Sequence, residues 1–285
     1  MSSAVSVHAT NKMCHVLKFV SFLRKNNDIP YIVKRRVFDA ALTSSLLYGC
    51  ESWVGADIKP VVKLYNWALK QLLGVRRTTS NQVCYAEAGC PPLADLVKYE
   101  QHKFFRNMWS EREYLVDDPL IFAINLIKSY NNPISRHIIY FTGNEVTPLS
   151  VAMDSLRASI SQSASSRCVV YKEINPTCSV HSLYVNKHNI NEAHRIAFTR
   201  FRVSGHSLAI ETGRWNRRGR GRLPLEERLC VCGEIQTERH VVQYCPVTLP
   251  IRNSFHFSSM EESFSDIFPH ARTCKIIYDI LKSYS

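Results

Sequence analysis

The sequence predicts a mainly α-helical chain. It divides into a helical bundle over residues 10–112, a helical, serine-rich linking section over 113–190, and a basic section over 191–285 built on a cysteine–histidine array. Three observations carry this reading. Apolar residues recur at three- and four-residue spacing in segment after segment, the period of a helix with one buried face. Capping residues followed by proline, and glycine stops, punctuate that pattern where helices should begin and end. Near the C-terminus, Cys230, Cys232, His240 and Cys245 crowd into one short stretch.

From Asn11 to Arg24, the residues Val16, Phe19, Val20 and Leu23 share a helical face, and Asn26-Asn27-Asp28 ends the pattern. Asp28 caps a second helix with Pro30 in its first turn. Its expected apolar face is Val33, Val37, Ala41, Leu42 and Leu46, and its outer side carries Lys34, Arg35 and Arg36. Asp57 and Pro60 open a third helix, with Leu64, Ala68, Leu69, Leu72 and Leu73 inward, Lys59, Lys63 and Lys70 on the rim, and Gly74 as its stop. Arg76 and Arg77 follow directly, two guanidiniums suited to bidentate phosphate contacts. A short helix over Asn81 to Ala88 stops at Gly89, and Pro91-Pro92 launches a longer one built on Leu93, Leu96, Val97, Phe104, Phe105, Met108 and Trp109.

In the linking section, Asp118-Pro119 caps a helix over Leu120 to Lys128, Val151 to Ile160 forms another, and Ser159 to Ser166 is expected to be exposed. Asn191 caps a helix through Arg202, with Ala193, Ile196, Ala197 and Phe201 on one side and Arg195, Arg200 and Arg202 on others; Gly205 ends it. Ile276, Ile277, Ile280 and Leu281 mark a closing helix.

The array reads C-x-C-x7-H-x4-C. Side chains two apart on an extended segment point to one side, so Cys230 and Cys232 form a two-sulfur hook, and Gly233 permits the left-handed turn that reverses the chain. Thr237 is the N-cap of a short helix from Glu238 to Tyr244, with Glu238 in the first turn, where the helix dipole favours a carboxylate. His240 projects from that helix. A continuous helix would place Cys245 about 140° around from His240. Pro246 biases Cys245 out of helical geometry and so turns it back. Three thiolates and one imidazole form a closed structural ligand set for Zn2+. The competing reading makes the three cysteines small core hydrophobes. Agreement of spacing, turn residue and helix signals favours the metal. Ten cysteines in 285 residues are too sparse for a disulfide scaffold, so the remaining seven, Cys14, Cys50, Cys84, Cys90, Cys168, Cys178 and Cys274, read as buried thiols in a reducing compartment.

The net charge is +12, from 36 Lys plus Arg against 24 Asp plus Glu, and an excess of this size points to a polyanionic partner. Nucleic acid is expected over a membrane surface, because no single basic amphipathic helix dominates. The stretch ETGRWNRRGRGRLP interleaves Arg214, Arg217, Arg218, Arg220 and Arg222 with glycines and Trp215. Its arginines can track a phosphate backbone. Trp215 either stacks on an unpaired base or packs against the metal module, and both readings stand. No run of roughly 18 apolar residues offers a membrane span and the N-terminus lacks the apolar core of a secretory signal, so a soluble chain of the cytoplasm or nucleus is expected.

The runs VKRRVFDAALTSSLLYGCESW (Val33 to Trp53), LYNWALKQLLGVRRTT and AEAGCPPLADLV are similar to the region downstream of the palm in reverse transcriptases of non-LTR, LINE-type retrotransposons. Further on, AHRIAFTRFRVSGHSLAIETGRW and ERLCVCGEIQTERHVVQYCP resemble that family's C-terminal cysteine–histidine zinc module. The resemblance covers about residues 10–112 and 191–252 and implies a thumb-like bundle in the first stretch. Carried over by residue, it implies zinc ligands at Cys230, Cys232, His240 and Cys245. It also implies RNA or primer–template nucleic acid as partner, and leaves open whether the chain works in trans with a complete reverse transcriptase. The resemblance starts where the family's palm has ended, so no polymerase activity is expected. The pair Asp117-Asp118 follows the thumb instead of preceding it, and no partner carboxylate accompanies it for two-metal chemistry.

Overall fold

The structure, a computed structural model, describes residues 2–110, 118–185, 190–214, 221–255 and 272–284. It is mainly helical; among the described residues, β-type pairing is limited to one isolated antiparallel bridge between Leu229 and Ile235. Helices run over Ser2–Lys25, Tyr31–Val37, Ser44–Leu47, Lys59–Leu73, Asn81–Ala88, Leu93–Ser110, Pro119–Ser129, Pro133–Gly143, Leu149–Gln162, Ser166–Ile174, Ser182–Val185, Glu192–Arg202, Ala209–Thr212, Leu249–Ser254 and Thr273–Lys282. None is long and apolar enough to cross a membrane.

Part of the expected punctuation is present. Asp57 accepts a hydrogen bond from the N–H of Lys59 at 3.0 Å, and the Asn191 side chain accepts one from Ala193 at 2.9 Å. Gly74 ends its helix at φ +73°, and a Cβ there would stand 2.7 Å from the Ile196 side chain, so both backbone and space require glycine.

Contacts sort the chain into two compact units, each assembled from separated stretches: residues 1–22, 36–69 and 90–156 in one, and 23–35, 70–89 and 157–285 in the other. These lines cut across the linear division at 112/113 and 190/191, because residues 23–35 and 70–89 find their partners in the C-terminal part. In the first unit, Phe38 packs its ring 5.6 Å from Phe19 and 5.3 Å from Tyr65, whose hydroxyl donates to the Pro91 carbonyl at 3.1 Å. Gln101 donates to the Cys50 carbonyl at 2.8 Å.

The second unit has an apolar core of Phe198 and Phe201 from Glu192–Arg202, Ile276, Ile277 and Ile280 from Thr273–Lys282, and Val241 and Val242. Beside it lies a buried polar knot. Glu87, with no exposed surface, accepts from Arg202 Nε at 2.7 Å and Nη2 at 3.0 Å, from Tyr171 at 3.0 Å and from Tyr184 at 2.9 Å. Four donors saturate two carboxylate oxygens, the condition under which a buried charge is tolerated.

Several expectations are corrected. Arg195 and Arg202, on other sides of their helix from the apolar residues, are buried as well. Arg202 is spent on Glu87, and Arg195 pairs with Glu192 at 2.8 Å and donates to the carbonyl of Leu72 at 3.2 Å. In the second helical stretch the buried residues are Tyr31, Lys34, Phe38, Leu42, Thr43 and Leu46, while Val33 and Ala41 are exposed. A π-helical turn over Phe38–Thr43 rotates the face from the one a regular period implies, and the bulkier Phe38 takes the core. Lys70 is buried and donates to the Arg77 carbonyl at 2.8 Å instead of lining a rim. Cys14 is exposed, whereas Cys50, Cys84, Cys90, Cys168, Cys178 and Cys274 are buried. Asp117 lies outside the described residues, and the helix after it begins at Pro119.

Candidate metal centre

Arg228 to Gln236 forms a tight reversal. The N–H of Gln236 donates to the Arg228 carbonyl at 2.8 Å, that of Cys230 to Glu234 at 2.7 Å, and that of Gly233 back to Cys230 at 2.9 Å. Gly233 adopts φ +94°, the left-handed backbone expected from its place after the second cysteine. Thr237 then caps the next turn, its hydroxyl accepting from the His240 N–H at 3.0 Å. His240–Tyr244 is a π-helical turn, closed by the Cys245 N–H donating five residues back to the His240 carbonyl at 2.8 Å. This wider turn, together with the extended Cys245 (φ −62°, ψ 126°) ahead of Pro246, returns the fourth side chain to the other three. The proline supplies only part of what turns Cys245 back.

The ligand atoms of Cys230, Cys232, His240 and Cys245 all lie within 4.8 Å of one another, a grouping that could hold a metal ion. Cys230 Sγ is 3.6 Å from Cys245 Sγ, Cys245 Sγ is 3.9 Å from Cys232 Sγ, and His240 Nε2 is 3.2 Å from Cys232 Sγ. Cys230 and Cys245 are buried, Cys232 and His240 half-buried. Burial works against a Cys230 thiolate, yet the Cys232 N–H and the Tyr284 hydroxyl outweigh it and bring the thiol down to about 6.

Around the four lies a supporting ring that short-range sequence spacing does not reveal. The Tyr284 hydroxyl donates to Cys245 Sγ at 3.0 Å and stands 3.6 Å from Cys230 Sγ. Burial and the two sulfurs push Tyr284 well above the usual phenol range, so it remains a donor. The Cys245 carbonyl accepts from Arg252 Nη1 at 2.9 Å and from the Thr248 hydroxyl at 3.1 Å. Glu238 does more than sit in a first turn: its buried carboxylate binds His206 Nε2 at 3.0 Å.

The basic residues expected to meet phosphates fare unevenly. Lys34 is withdrawn from that set, since it is fully buried with Nζ 3.0 Å from Glu192. Arg35 is half-buried and donates to the Ala88 carbonyl. Arg214 is half-buried and pairs with Glu211 at 3.1 Å. Arg36, Arg76, Arg77 and Arg222 are exposed. Trp215, Arg217, Arg218 and Arg220 lie outside the described residues. No protein-family model matches the chain, and no curated protein or solved structure shows significant similarity to it.

Proposed function

We propose that this chain is a non-catalytic nucleic-acid-binding protein organised by a structural zinc centre, of the kind its sequence resembles in the C-terminal part of LINE-type reverse transcriptases. The observation that carries the reading is the convergence of Cys230, Cys232, His240 and Cys245. Tetrahedral zinc at its usual bond lengths sets sulfurs about 3.8 Å apart and a sulfur and a nitrogen about 3.5 Å apart. The 3.6 and 3.9 Å sulfur separations and the 3.2 Å sulfur–nitrogen separation lie near these values, and the remaining pairs, all within 4.8 Å, would draw in by at most about 1 Å. Zinc there would offset two of the three thiolate charges and join the hairpin to the following turn. Four protein ligands leave no open position for water, which supports a structural role over a hydrolytic one.

Nucleic acid as partner is supported by the +12 charge and by the exposed Arg36, Arg76, Arg77 and Arg222. Contacts of this class weaken steeply with salt, as counterions return to the phosphates.

Protein purified without added metal should carry about one zinc per chain by elemental analysis. In filter-binding titrations it should retain structured RNA or primer–template duplex at low salt and release it as salt rises. Full zinc content without affinity for either nucleic acid would sink the binding assignment and leave a zinc-stabilised protein-interaction module, or a remnant with inherited charge. DNA synthesis by the chain would overturn the non-catalytic one.

A further inference from the structure

Within the second unit, residues of the helices Glu192–Arg202 and Thr273–Lys282 border a cleft of about 450 Å3. That size lies within the roughly 300–1,000 Å3 of small-ligand sites. Arg76, Arg200 and Lys282 line it, Ile196 and Tyr278 supply apolar and aromatic wall, and no acidic residue is among its lining. Among the described residues, no carboxylate forms an ion pair with Arg76, Arg200 or Lys282. The nearest cationic neighbours differ in this respect, since Arg195 and Arg202 are both paired with glutamates. His206 also borders the cleft, but its Nε2 is taken by Glu238, so it serves as wall.

Arg200 is held in place by donating Nε to the Gly74 carbonyl at 2.7 Å, which leaves its two terminal nitrogens for another acceptor. Desolvation, with Arg76 and Arg195 nearby, pushes it below its ordinary range, as expected where like charges converge without an anion. Tyr278 is half-buried at the cleft wall with its ring 4.7 Å from that of His194, a platform against which a flat ring can lie.

We propose that this cleft binds a phosphate monoester on a nucleotide, the phosphate between Arg76, Arg200 and Lys282 and the base against Tyr278. Charge balance selects the monoester. Three unpaired cations exceed the single charge of an internal phosphodiester, whereas a monoester carries about −1.5 to −2 near neutral pH. The ligand is then a nucleoside monophosphate or the phosphorylated end of a strand. In the second form the proposal rests on the nucleic-acid reading above and gives it a preferred end.

The test compares two single-stranded oligonucleotides of one sequence, labelled at the 3′ end and carrying either a 5′-phosphate or a 5′-hydroxyl, by fluorescence anisotropy on the full chain. The phosphorylated strand should bind about tenfold more tightly or better. Adenosine monophosphate should compete more strongly than inorganic phosphate. Lys282→Gln, at an exposed position, and Arg76→Gln should each reduce the preference towards unity with the melting temperature unchanged. Equal binding of the two strands, or a preference that survives both substitutions, overturns the cleft while leaving general nucleic-acid binding intact. If neither strand binds but adenosine monophosphate raises the melting temperature in a Lys282-dependent manner, the nucleic-acid reading fails and the cleft stands as a nucleotide site. Absence of both effects overturns the two together.

Discussion

Replacing Glu87 by Gln should be among the most damaging conservative changes in this chain. The substitution keeps shape and removes one charge. In the native knot, Oε1 accepts from Arg202 Nε and Tyr184, and Oε2 accepts from Arg202 Nη2 and Tyr171. A glutamine amide keeps one accepting oxygen and turns an NH2 group towards two of those four donors. Arg202, only 2% exposed, is left without its counter-charge. Removing one partner of a buried pair costs about 3–5 kcal/mol, even where the intact pair adds little net stability. At roughly 2–4 °C per kcal/mol, the melting temperature should fall by about 6–20 °C. Circular-dichroism melts would measure it against Glu226→Gln, at an exposed position, as control. The double variant Glu87→Gln/Arg202→Met carries no uncompensated charge and should recover part of the loss. A single-variant loss below about 1 kcal/mol, or a double variant clearly less stable than the single one, would refute the reasoning.

Tyr284→Phe should keep the packing of the C-terminal turn but remove a donor from Cys245 Sγ, and supporting groups of this kind contribute about 10–100-fold in metal affinity. Competition with a chromophoric chelator measures it; unchanged affinity would count against Tyr284 as a positioning residue. Stability should also be lost at both ends of the pH scale. Burial first, and Glu87 second, hold Tyr171 and Tyr184 well above 10.0, so the folded state keeps their protons more tightly and its advantage falls as pH rises past 10.0. Burial opposes ionisation of Glu192 and Glu238, but Arg195 and Lys34 in one case and His206 in the other hold them below 4.5, so stability is present above 4.5 and lost as pH falls beneath it. Urea midpoints should form a plateau between these limits, and a midpoint that rises above pH 10 or below pH 4.5 contradicts the assignment.

The features legible in the sequence are those fixed by neighbours along the chain. Asp57, Asn191 and Thr237 act as caps, Gly74, Gly89 and Gly233 take the left-handed turns, and the four metal-centre residues meet, because each depends on partners a few positions away. The helix over Pro133–Gly143 escaped for a weaker reason. Asn132 and Ser135 form a reciprocal capping box around Pro133, but exposed Ile139 and Tyr140 blur the apolar period that would have announced it. The inward turn of Lys34 was hidden by a break in the period itself, the π-helical turn at Phe38–Thr43. Tyr284 could not be found by spacing at all, since 39 residues separate it from Cys245. The same holds for Arg202, whose burial depends on Glu87, 115 residues away.

The Glu87 knot also sets a timetable. Its carboxylate is made 115 residues before the arginine that neutralises it. At roughly 5–20 residues per second, about 6–23 s of synthesis separate the two. During that interval residues 70–89 have apolar surface to bury but no counter-charge to bury it with, so this unit cannot close as its first segments emerge. A nascent chain halted before Arg202 should therefore remain protease-sensitive around Asn81–Ala88, and a chain extended past it should become protected there.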